Sequence, residues 1–98
     1  MAIDVPTLLN VVAMKEMNPD FKAIDYCETA KIELDYEVLL RNHGEDFRVK
    51  VEEINGDQMV GKVLRDHFDF NQPFQFLDEI NFERKNVIDV YINYGIMF

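Results

Sequence analysis

Few residues in this chain are equipped for chemistry. It has two histidines, His43 and His67, one cysteine, Cys27, and no serine. Asp66 and His67 look like half of a catalytic dyad, with Asp69 close by in sequence. Neighbours on an extended segment point to opposite sides, however, and no serine or second cysteine offers a nucleophile. Cys27 is flanked by Asp25 and Glu28. Acidic neighbours raise a thiol pKa, so Cys27 is expected as a packed or half-buried structural residue. His43 precedes Gly44 and two acids and reads as an exposed loop histidine. Glu33, Asp35 and Glu37 alternate like a metal-ligating set, but on one strand they would be strung along a solvated face. No CxxC, HExxH or glycine-rich phosphate loop occurs. These residues point to no enzyme, no cofactor and no metal.

The elements that position such residues are clearer. With 98 residues, 48% of them hydrophobic, the chain reads as a single domain, 1–98, with one core. No apolar run approaches the ~18–20 residues of a membrane-spanning helix. The start, MAIDVPTLLNVVAMKEM, has Asp4 where a signal peptide carries a base, and it reads as an ordinary cytoplasmic N-terminus. The lone thiol fits the same compartment. The net charge of −9 arises from 19 acids against 10 bases and is shared evenly between the two halves. That sign repels phosphate backbones and anionic lipid and attracts basic protein surfaces. Nucleic-acid and membrane binding are not expected.

Residues 46–65 form the centre of the chain. Two strand-like runs flank Asn55-Gly56, which suits a type I′ hairpin turn. That loop pairs Ile54 with Asp57, Glu52 with Met59 and Phe47 with Leu64. Phe47, Val49 and Val51 then face inward, as do Val60 and Leu64. Lys62 breaks the pattern, so either both faces are partly covered or Gly61 marks a bulge. Residues 1–29 are read as an N-terminal helix and connector. Asp4 caps the helix, Leu8, Leu9, Val12 and Glu16 share one side, and Asn18-Pro19 ends it; a short buried strand is the alternative. Phe21, Ile24 and Tyr26 pin the connector. Residues 30–41 alternate cleanly as a strand, 42–46 turn, 79–84 and 87–92 are strands, and 84–86 turn. Between Asp66 and Leu77 lies a loop containing Phe68, Phe70, Phe74 and Phe76. Four phenylalanines so close together either plug the open end of a barrel or form a binding patch, and plugging is the commoner use. The last residues, 93–98, form an apolar tail that packs back or makes an oligomer contact.

From Gly44 to Tyr91 the pieces line up as Phe47, Val49 and Val51; Asn55-Gly56-Asp57; Gly61 and Val63; Asp78, Ile80 and Phe82; and Ile88-Asp89. In this the chain resembles the small bacterial domains of the DUF2314 and DUF2185 groups, over residues 30–92. The chain departs from their pattern at Phe47, where Trp is frequent, and at Leu77, where Gly is expected. The resemblance implies an α+β, mainly β fold: a strongly bent antiparallel sheet, or an SH3-like small barrel of about five strands. It also implies an interaction module, of a kind suspected as immunity or accessory proteins, and carries over no catalytic residue.

The expected function is therefore a non-enzymatic acidic module that binds a basic protein partner, such as a toxin it neutralises. The candidate contact residues are Glu52 and Glu53 beside the hairpin, and Asp66, Phe68, Asp69 and Phe70 in the aromatic loop. The alternative is a phage or mobile-element protein that mimics DNA and blocks a nucleic-acid enzyme.

Overall fold

The computed structural model describes residues 1–92. Among the described residues six strands make one mixed sheet: β1 (Ile3–Asp4), β2 (Glu37–Asn42), β3 (Glu45–Asn55), β4 (Gln58–Val63), β5 (Glu79–Glu83) and β6 (Asp89–Tyr91). Their order is β1-β5-β4-β3-β2-β6. β1 joins β5 in parallel, and the other pairings are antiparallel. Among the described residues the sheet has two edges, β1 and β6, and is not closed into a barrel. One short helix, α1 (Val11–Met17), and two 3₁₀ turns, Tyr26–Lys31 and Arg84–Asn86, complete the fold.

The central hairpin forms one residue later than the Asn55-Gly56 signal implies. Asn55 pairs with Gln58 and Ile54 with Met59, so Gly56-Asp57 is the two-residue loop. Gly56 has φ +63° and Asp57 does not share that sign, the pattern of a type II′ turn. The doubly positive turn lies instead at His43 (φ +51°) and Gly44 (φ +79°), which join β2 to β3. Moving the loop shifts each partner by two residues and keeps the faces; the one-residue bulge on β3 is what puts Gly61 and Val63, rather than Val60 and Lys62, opposite Val51 and Val49. Met59, Gly61 and Val63 are buried, while Val60 and Leu64 are only half-buried. The register shifts between Val51 and Glu53, opposite Gly61, so the bulge sits on β3 at Glu52. Gly61 is needed there because a Cβ would stand 2.8 Å from Val49 Cγ2 and 3.0 Å from Phe82 Cε1. Lys62 pairs with Lys50 on the opposite face and reaches Glu52 at 3.6 Å.

The expected helix from Asp4 is replaced by tertiary pairing. Ile3 and Asp4 align with Ile80 and Asn81, and Asn81 Nδ2 donates to Asp4 Oδ1 at 2.7 Å. Leu8 bridges Asn42, and Leu9 N donates to Arg41 O. Only then does α1 begin, capped by Asn10, whose side chain accepts from Ala13 N at 3.1 Å. Its buried residue is Val11; Val12 is exposed. The strand expected over 30–41 starts only at Glu37. Ala30 and Lys31 belong to a 3₁₀ turn, and Leu34-Asp35 form a second turn with Asp35 at φ +71°. Asp tolerates that conformation through local side-chain hydrogen bonding. The closing strand is likewise shorter than 87–92, because Val87 and Ile88 are buried beneath the sheet before β6 begins.

The core covers one face of the sheet. Val38, Leu40, Phe47, Val49, Val51, Met59, Val63, Ile80 and Phe82 point into it from β2 to β5. Val5, Leu8, Ile32, Phe74 and Val87 close over them from the connecting segments. Fully burying each such aliphatic or aromatic side chain is worth about 1.5–3 kcal/mol. Residues 93–98, expected as an apolar tail, lie outside the described residues.

Candidate functional site

The aromatic loop 66–77 connects β4 to β5, and its four phenylalanines divide between two tasks. Phe74 is buried and Phe68 half-buried. Their rings pack on Phe47, with centroids at 4.8 and 5.8 Å, and on each other at 5.5 Å. Tilted and edge-on aromatic packing of this kind adds about 0.5–1.5 kcal/mol per pair beyond burial. Phe70 is 62% exposed, Phe76 47% and Leu77 51%. Half of the cluster anchors the loop, and the other half faces solvent.

The loop is held from below by a residue that sequence reading passes over as part of a turn. Glu45, the first residue of β3, is 6% exposed. Its Oε1 accepts from Asp69 N at 2.8 Å and Arg65 Nη2 at 3.2 Å; its Oε2 accepts from Phe70 N and Gln72 Nε2, both at 3.0 Å. Burial pushes the Glu45 carboxyl up. The amides of Asp69 and Phe70, the Gln72 side chain and the Arg65 charge together outweigh burial and hold it below the usual carboxylate range. Gln72 Oε1 also accepts from Asn42 Nδ2 at 2.8 Å, and Asn42 Oδ1 accepts from Thr7 Oγ1 at 2.8 Å. Arg65 donates to Asp46 O and His67 O and stacks over Phe68 at 4.8 Å. A bound segment of this kind is pre-organised and loses little entropy on meeting a partner.

The loop's exit carries backbone strain. Asp78 N donates to Gln75 O and Asp78 Oδ2 accepts from Gln75 N, which closes a turn around Phe76 and Leu77. Leu77 sits at φ +71°, where a glycine would be at ease. A bulky residue in that region costs about 1–3 kcal/mol.

Charge is concentrated here. Between Arg65 and Arg84 there is no lysine or arginine, whereas Asp66, Asp69, Asp78, Glu79 and Glu83 fall in that interval. Among the described residues nine ion pairs engage every lysine and arginine except Lys22. Asp66, Asp69, Asp78 and Glu79 belong to none of those pairs. Arg65 is seated against the loop but pairs with Glu45, so Asp66, Asp69 and Asp78 are left without an ion-pair partner among the described residues. A groove of about 380 Å³ runs beside Asp66, Phe68, Phe70, Phe74 and Phe76.

The expected contact residues thus fall into two groups. Asp66, Phe68, Asp69 and Phe70 share the loop, with Phe68 serving mainly as an anchor. Glu52 and Glu53 do not line the groove. Glu53 is exposed beyond the bulge. Glu52 Oε1 is buried without a hydrogen-bond donor. Hydrogen bonding to Glu52, repulsion from it and burial raise the Glu79 carboxyl above its usual range; the N-terminal amine and Lys62 oppose this. His67 and His43 are exposed, the latter as expected of a loop histidine. Cys27 is exposed, contrary to the packed position expected, because it rides the outer side of the Tyr26–Lys31 turn while Thr29 takes the buried side. Glu33, Asp35 and Glu37 do not share a strand face, and Asp35 and Glu37 pair with Lys50 and Arg48. No group of three or more histidine, cysteine or acidic side chains among the described residues is arranged to hold a metal ion.

A larger concavity, about 690 Å³, lies elsewhere, against Ile24, Ala30, Tyr36, Val90 and Ile92. No helix among the described residues is long and apolar enough to cross a membrane. Compared with family models, curated proteins and solved structures, the chain matches none.

Proposed function

We propose that this protein is a non-enzymatic binding module whose aromatic loop docks a basic protein partner. The observation that carries this reading is one segment combining three features. It exposes Phe70, Phe76 and Leu77, it carries acids with no cation partner, and it is fixed in place by a buried carboxylate. Exposed aromatics set in an acidic rim are the composition of an interface rather than of an idle loop. The strain at Leu77 supports the same reading, since a costly conformation persists where the displayed side chain is used. An antidote to a basic toxin is the biological role that suits an acidic module of this size, acting in the cytoplasm.

Affinity purification with the wild type and a Phe70→Ser/Asp69→Asn variant tests the proposal. The expected result is a basic protein retained by the wild type, released by salt and absent from the variant. Equal retention by both proteins would remove the loop from the interface.

A further inference from the structure

We propose that the groove beside the aromatic loop seats an arginine side chain of the partner. The inference rests on the docking reading above and names the group that is recognised. An arginine has an apolar stem and a flat, weakly hydrated guanidinium that stacks on aromatic faces and pairs with carboxylates. The groove offers both halves of that chemistry. Phe70 and Phe76 are solvent-exposed rings on its lining, and Asp66 is an exposed carboxylate on the same lining with no ion-pair partner among the described residues. Asp69 adds a second unpaired acid beside Phe70. The chain already uses this chemistry internally: Arg48 lies 3.7 Å from the Tyr91 ring centre, Arg65 4.8 Å from Phe68 and Arg41 5.5 Å from Phe21. Arg65 occupies Phe68 from within the fold and leaves Phe70 and Phe76 for a visitor.

A second copy of this chain is a poor occupant. Its arginines are all engaged in ion pairs, and Lys22 is the one base left outside them among the described residues. Lysine from another protein is a weaker fit, because its compact ammonium is strongly hydrated and lacks a face to stack.

The test is an NMR titration of the intact protein with three probes: N-acetyl-arginine amide, N-acetyl-lysine amide and N-acetyl-citrulline amide. The arginine probe is expected to shift Asp66, Phe70, Gln75 and Phe76 selectively. The lysine probe should bind several-fold more weakly, and neutral citrulline should not bind. Phe70→Ala and Asp66→Asn each replace an exposed side chain, and each should weaken the arginine response about five- to tenfold. Equal responses to arginine and lysine, shifts scattered over acids all around the molecule, or no response would overturn the arginine seat. The affinity purification above separates the two levels. If the probe fails while the loop still retains a basic protein, the docking reading stands without the arginine seat; if retention also fails, both fall.

Discussion

Glu45 shows how one carboxylate organises a surface it does not join. Its folded pKa is lowered, so its contribution to stability is fully present above the unfolded-chain value of about 4.3 and is lost as pH falls through the lower folded value. Amide hydrogen exchange should report this as loss of protection at Asp69 and Phe70 under acid conditions, ahead of the core strands. Glu45→Gln should lower protection at the same two amides at neutral pH, because a side chain that accepts on both oxygens is replaced by one that accepts on a single oxygen. Glu79 behaves in the opposite sense. Its folded pKa is raised, so the fold loses stability as pH rises from the unfolded value through the folded one. Glu79→Gln keeps a permanent donor for Glu52 and removes the repulsion, and a thermal melt at pH 7 should move upward. Neither glutamate stands out from the other acids in the sequence, because hydrogen-bond partners 24 to 27 positions away define one of them.

At the scale of the element, the β3–β4 hairpin depends on a close approach that only glycine permits. Gly61→Ala places a methyl against Val49 and Phe82 and should cost about 1–3 kcal/mol in chemical denaturation. Phe47→Ala removes the ring on which Phe68 and Phe74 pack, and should cost about 3–5 kcal/mol while loosening the loop. Leu77 reverses the usual rule for deleting a large side chain. Leu77→Gly relieves the positive-φ strain and should leave stability unchanged or raise it by about 1 kcal/mol, yet weaken partner retention. Sequence periodicity located β3 and β5, and it offered Gly61 itself as a bulge, whereas the bulge lies across from it on β3 at Glu52. It misjudged the turn by one residue, because Asn55-Gly56 and Gly56-Asp57 are both acceptable two-residue loops. The bulge on β3 then sets the faces, and the core takes Met59 and Val63 in preference to Val60 and Leu64.

For the whole molecule, the distribution of paired charge matters more than the total. The formal −9 is shared evenly between the halves of the chain, but the bases are consumed in local ion pairs, and the region from Asp66 to Glu83 has none of its own. Binding through this surface should weaken with added salt, chiefly through a slower association rate, which stopped-flow measurements would resolve. Loss of affinity through faster dissociation alone would shift the weight from charge to the exposed phenylalanines.

The amino-acid sequence by itself determined that the chain builds a mainly β domain around the 46–65 hairpin, with an acidic surface and a phenylalanine-rich loop. Those features follow from period-two burial, turn residues and charge counts, all of which act over a few positions. Only the tertiary structure decided that the sheet is open, that Ile3–Asp4 join it as an edge strand and that residues 30–36 turn instead of extending. It also decided which phenylalanines are buried. That division depends on Glu45, Asn42, Gln72 and Arg65 meeting across the chain, and alternation alone treats Phe68, Phe70, Phe74 and Phe76 alike.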